Sequence, residues 1–203
     1  MLAPAYSTSG SVRLTTGDFC MNTENSTLSV TEEFRVFDWL KNYEARFQNM
    51  REEDMPSVLD FCLVWNLFES TFCNRNVSVP KIRKAVEKLH SSGKLTKEDF
   101  GPYLHYFEER YLERSSCDCW TNTTFNNLKF RKSADRKLVE SVLKGEIDDR
   151  SSVLSALLII VYRFRNNLFH GEKEISTLYG QNENFTVANR LLAKVLDLRP
   201  GTA

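Results

Sequence analysis

The stretch Val153-Leu-Ser-Ala-Leu-Leu-Ile-Ile-Val-Tyr-Arg-Phe-Arg-Asn-Asn-Leu-Phe-His-Gly171 decides how the rest of the chain is read. Its first ten residues are the most apolar run in the sequence. A run of this length with no polar face predicts a helix buried on all sides rather than a strand. The run then turns polar within two helical turns, through Arg163, Arg165, Asn166, Asn167 and His170, and stops at Gly171. A helix C-terminus accounts for part of this pattern, because basic residues favour the negative end of the macrodipole and glycine ends helices. On that reading Arg165 sits in a partly buried ion pair and His170 caps the helix. The second reading is a site built for chemistry, since Arg, Asn and His are gathered at one helix end.

Upstream, Asp148 or Asp149 stands where a cap for this helix belongs. Ser133 opens a shorter helix that ends near Gly145. Before it, residues 115–132 lack periodicity and form the longest internal loop, carrying Cys117 and Cys119. The end of that loop is basic: Lys129, Arg131, Lys132 and Arg136 alternate with Phe125 and Phe130. Cations interleaved with aromatics suit RNA, so these four are the candidate RNA-binding residues. The competing reading is a solvated loop whose aromatics turn inward.

Further upstream, Thr96-Lys-Glu-Asp99 opens a helix that reaches about Arg114, with Pro102 in its first turns. Pro80 opens a helix that closes at Gly93. Pro56 opens one that runs to about Asn74 and is apolar on most sides, which places it at the centre of the core. Ser29-Val-Thr-Glu32 reads as a capping box for a helix over about 30–50. Residues 1–28 are polar, small and aperiodic, and read as a flexible tail ahead of a helical domain spanning 29–203. Downstream, Val187, Leu191, Leu192, Val195 and Leu196 mark a last amphipathic helix over about 183–198. No hairpin dipeptide separates alternating runs. The fold class is all-α, one bundle of six to seven helices.

Composition excludes several functions. Lys and Arg balance Asp and Glu at 27 each, so any nucleic-acid contact rests on a local patch rather than on bulk charge. No apolar run approaches the roughly 20 residues of a membrane span. The first residues carry no hydrophobic stretch of the secretory kind. The five cysteines are irregularly spaced, which argues for reduced thiols. Cys117-Asp-Cys119 has no second ligand pair, so no metal site is expected. His90 and His105 lack an Arg or Cys partner at a telling spacing and read as surface or half-buried residues. The expected location is the cytoplasm.

Arg165-Asn-Asn-Leu-Phe-His170, at the end of an apolar helix in a helix-only context, resembles the signature of the HEPN superfamily: an Arg, four to six residues, then a His, with a polar residue after the Arg. The closing His-Gly resembles stand-alone bacterial members. The resemblance implies a HEPN-like bundle and metal-independent RNA cleavage without a cofactor. It implies a homodimer in which Arg and His of two protomers meet, an RNA substrate, and a toxin–antitoxin or phage-defence setting with an antitoxin or regulatory protein partner. The residue types suit that chemistry. An imidazole titrates near neutrality and serves as acid or base for the 2′-hydroxyl, and a guanidinium holds the charge that grows on the phosphate oxygens. On this reading His170 is the acid/base, Arg165 the phosphate clamp and Asn166 the orienting group.

Helix geometry leaves alternatives. At about 100° per residue, Arg165 falls with Leu154, Val161 and Leu168, whereas Arg163, Asn166, Asn167 and His170 share another face. Either the helix breaks or tightens after Arg165, or Arg165 reaches around or across to a partner protomer, or Arg163 is the working arginine with Asn167 in support. A different function class also fits: a non-catalytic HEPN-like module that binds nucleotides or proteins.

Overall fold

The structure is a computed structural model that describes residues 34–43, 45–48, 52–95, 100–112, 123–169 and 180–198. The chain divides into two units, Met1–Arg35 and Val36–Ala203, and every described helix lies in the second. The described residues form eight α-helices and no strand: α1 (Val36–Tyr43), α2 (Pro56–Thr71), α3 (Val79–Ser91), α4 (Gly101–Tyr111), α5 (Thr123–Asn126), α6 (Ser133–Leu143), α7 (Arg150–Phe169) and α8 (Asn182–Asp197). The all-α class stands. The count exceeds the expected six to seven because α5, a single turn, lies inside the stretch read as loop.

The apolar run is α7, the axis of the bundle. From Val153 to Val161 every side chain is buried. It is covered by α3 and α6 on its flanks and touched by α4, while α2 pairs with α8. Aromatic rings join the two sets: Phe164 meets Phe107 of α4 and Phe185 of α8, and Tyr162 lies against Trp65 of α2. A helix enclosed this way needs no polar face, and that is why its sequence shows no 3.6-residue stripe.

Local chemistry sets the ends of the helices. Asp149 caps α7: its Oδ1 accepts from the Ser152 backbone N–H at 2.9 Å and from the Ser151 hydroxyl at 2.8 Å. Gly145 ends α6 with φ +72°, and the following Glu146 N–H returns to the Ser141 carbonyl at 2.9 Å. That left-handed turn suits glycine. After α2, Asn74, Arg75 and Asn76 are all left-handed, a conformation unfavourable for residues with a Cβ. Glu69 holds this turn, since its carboxylate accepts from the Trp65 indole at 2.9 Å and from the Val77 N–H at 3.1 Å.

Two expectations are corrected. The helix read over 30–50 is shorter where described: α1 ends at Tyr43, and short 3-10 turns follow at Ala45–Phe47 and Glu52–Asp54. The Ser29–Glu32 box and Thr96–Asp99 lie outside the described residues. Second, α2 is not buried on most sides. Phe61, Trp65 and Phe68 face the core, but Leu59, Leu63 and Leu67 are 58%, 73% and 51% exposed. The apolar content of α2 therefore serves two faces, one inward and one outward.

Candidate functional site

The last two turns of α7 carry the polar cluster, and the helix continues without a break through Arg165 to Phe169. A break after Arg165 is thereby excluded. His170 and residues 171–179 lie outside the described residues, as do Cys117 and Cys119.

The face shared by Arg163, Asn166 and Asn167 points into the protein. All three are buried, at 4%, 5% and 0% exposure. Arg163 Nε donates to the Leu128 carbonyl at 2.8 Å, and a terminal nitrogen donates to Asn167 Oδ1 at 3.4 Å. Asn167 Nδ2 in turn donates to the Asn127 carbonyl at 3.0 Å. These contacts satisfy backbone oxygens at the end of α5, where the chain reverses through left-handed Lys129 (φ +50°). Buried carbonyls left without a donor are costly, so Arg163 and Asn167 hold this reversal in place.

Arg165 is placed differently. It is half-buried, its guanidinium lies 5.3 Å from the centre of the exposed Phe169 ring, and one terminal nitrogen donates to Asn166 Oδ1 at 3.3 Å. Its Nε is buried and has no hydrogen-bond partner among the described residues. A guanidinium offers five N–H donors, so most of this one's capacity is uncommitted to the fold. The two arginines that the sequence left in competition thus differ: Arg163 braces a loop, and Arg165 stands at the helix end beside Asn166 with donors to spare.

The basic segment divides as well. Lys129, Arg131, Lys132 and Arg136 are all exposed. Phe125 is buried and Phe130 half-buried against it, with ring centres 5.3 Å apart, so the aromatics do turn inward. Arg136 lies 5.2 Å from the Phe125 ring and donates to Asn126 Oδ1 at 2.8 Å, which ties it to α5. Arg131 and Lys132 instead line a cavity of about 140 Å³ whose wall includes Arg163. Phe130, Asp135, Ile159, Tyr162 and the start of α3, from its cap Ser78 to Pro80, complete that wall. Sequence reasoning missed it because Ser78, Arg131 and Arg163 are far apart in the chain, and no spacing rule joins them.

Other candidates are quiet. His90 and His105 are exposed, and His105 sits 3.3 Å from Glu109 one helical turn away. Among the described residues no cluster of His, Cys, Asp and Glu could hold a metal ion. Also among these residues, no helix is long and apolar enough to cross a membrane. Neither a protein-family model, nor a curated protein, nor a solved structure matches this chain.

Proposed function

We propose that this chain is a cytoplasmic, metal-independent endoribonuclease that works as a homodimer. Arg165 holds the scissile phosphate, Asn166 orients it, and His170 moves the proton. The 2′-oxygen bonds to phosphorus as an imidazole takes its proton, and the bond from phosphorus to the 5′-oxygen breaks as that oxygen is protonated. The products are a 2′,3′-cyclic phosphate and a 5′-hydroxyl end. The guanidinium stabilises the charge that builds on the non-bridging oxygens. A toxin–antitoxin or phage-defence role fits such an activity, and a neutralising protein partner then accompanies it.

The observation that supports this reading most is the state of Arg165. It lies at the end of the central helix with an unbonded Nε and a terminal nitrogen on Asn166 Oδ1, so the Arg-Asn pair of the motif is in contact. Arg163, by contrast, places its Nε on the Leu128 carbonyl and a terminal nitrogen on Asn167 Oδ1. The homodimer is supported by the exposed row Leu59, Leu63 and Leu67, spaced one helical turn apart along α2. An apolar row of this kind on a surface marks a contact with another protein.

Incubation of the purified chain with mixed RNA in EDTA tests the proposal, beside Arg165→Ala and His170→Ala. Cleavage by the unaltered protein and its loss in both variants, with unchanged helical circular dichroism, is the expected result. No cleavage by the unaltered protein, after any co-purifying partner has been stripped away, would sink it.

A further inference from the structure

We infer that α1 of one protomer packs across the leucine row on α2 of a second copy, and that the second copy returns its own α1 in the same way. Two exchanged helices then hold the homodimer together. The inference rests on the homodimer part of the proposed function and is independent of RNA cleavage.

Two apolar stripes lie open on the same chain. On α1, Val36, Trp39, Leu40 and Tyr43 fall within about 100° of the helix circumference, with Asp38, Lys41 and Asn42 on the other side. A helix with such a stripe turns it toward a partner surface, yet α1 buries none of its residues. Val36, Trp39 and Tyr43 are 55%, 46% and 70% exposed. Trp39 and Tyr43 stack with ring centres 4.8 Å apart, so they present one continuous aromatic surface. The other stripe is Leu59, Leu63 and Leu67 on α2, flanked by the exposed polar residues Asp60 and Asn66. Both stripes are exposed in one chain, so neither covers the other.

The two match in size. α1 has eight residues and the row runs from Leu59 to Leu67, so each stripe is about 12 Å long. Trp39 lies near the middle of one and Leu63 at the middle of the other, and they meet whichever way the helices run. Area favours this pairing over row against row. A stable interface takes roughly 800 Å² from each partner, and three part-exposed leucines offer only on the order of 300 Å². Val36, Trp39 and Tyr43 about double that, since one aromatic side chain covers up to roughly 150–250 Å². The reciprocal contact then buries about 1,300 Å² in all, within the range of specific dimers.

A second copy suits the stripes better than the same chain does. The connector from α1 to α2 is itself folded: Phe47 is buried, and the 3-10 turn Glu52–Asp54 lies against α2. A two-fold axis lets each chain cover the other without disturbing that connector.

Light scattering on the full chain tests the exchange through opposite charges at the two centres. Trp39→Asp and Leu63→Lys are each expected to shift the mass from twice 23.5 kDa to the single value, with helical circular dichroism unchanged. Tyr43→Asp, at the most exposed position of the α1 stripe, is expected to do the same and stands in should Trp39→Asp fail to fold. Mixing the α1 variant with Leu63→Lys in equal amounts is expected to restore the dimer, because the mixed pair has one unaltered contact and one Asp–Lys contact. An α1 variant that stays dimeric overturns the exchange and leaves the homodimer standing. Two monomeric variants whose mixture stays monomeric also overturn it. An unaltered chain that is monomeric overturns the exchange and the homodimer together.

Discussion

Arg163 and Arg165 show how one side-chain type divides between structure and chemistry within a single turn of helix. Arg163 is enclosed and donates to the Leu128 carbonyl. Its replacement by Ala strands that carbonyl, and the expected loss, by the usual worth of hydrogen bonds to charged groups, is about 1.5–3 kcal/mol. Urea denaturation measures this, and Arg165→Ala in the same experiment should change stability by well under 1 kcal/mol. Equal losses would mean that both arginines are structural. Cys73 makes a second expectation at this scale. It is buried, and burial followed by the nearby Glu69 carboxylate pushes its thiol from 9.0 up to about 12, with Lys81 offsetting part. The thiol is thus neutral in the fold while the unfolded chain ionises earlier. Its contribution to stability is complete below pH 9 and is lost as pH rises toward about 12. Thiol labelling at pH 8 should reach Cys73 only on unfolding, and Cys73→Ala should flatten the alkaline decline. Rapid labelling of the native protein at this position would contradict the burial.

At the scale of elements, α7 depends on its cap. Burial alone would raise the Asp149 carboxyl, but bonds from Ser152 and then Ser151 outweigh it and hold the group below its ordinary 3.8. A carboxyl lowered by folding stabilises above its ordinary value, and that stabilisation fades as pH falls through the lower folded value. Asp149→Ala should therefore cost about 1 kcal/mol at neutral pH, a typical cap value, and progressively less below about pH 4. Asp149→Asn, which keeps a capping oxygen, should retain most of the stability at neutral pH. Thermal unfolding at pH 7 and pH 3 distinguishes these cases, and a pH-independent loss would mean that the carboxylate charge is not involved. The helix boundaries show what local sequence controls. Pro56, Pro80 and Pro102 sit in the first turns of α2, α3 and α4, and Gly93 and Gly145 follow α3 and α6 with positive φ. These signals act through neighbouring backbone alone, so they were legible. The turn of α5 was not, because four residues give no periodicity to detect.

At the scale of the whole molecule, one face of α2 is left without cover among the described residues. Leu63 is the most exposed of its row. Leu63→Glu should leave the fold intact, since the side chain is mostly exposed, and should convert the proposed dimer into a monomer. On the proposed mechanism RNA cleavage falls with it. Light scattering and circular dichroism on the same samples check this, and a variant that stays dimeric would remove α2 from the interface.

The sequence by itself determined the all-α class, the buried axis over Val153–Val161, the helix-end signals and the polar cluster at the end of that axis. These depend on hydrophobic content and on interactions a few residues apart, which a linear reading can follow. Only the tertiary structure decided which polar residues face inward. A helical wheel put Arg163, Asn166 and Asn167 together on a face apart from Leu154 and Val161, but it could not show that the 127–128 turn closes over that face. For a helix enclosed on every side, polar placement answers to the backbone groups of its neighbours rather than to water. The same closure brought Arg131, Lys132 and the start of α3 around Arg163. That convergence depends on how three distant segments pack, and no pattern within any one of them encodes it.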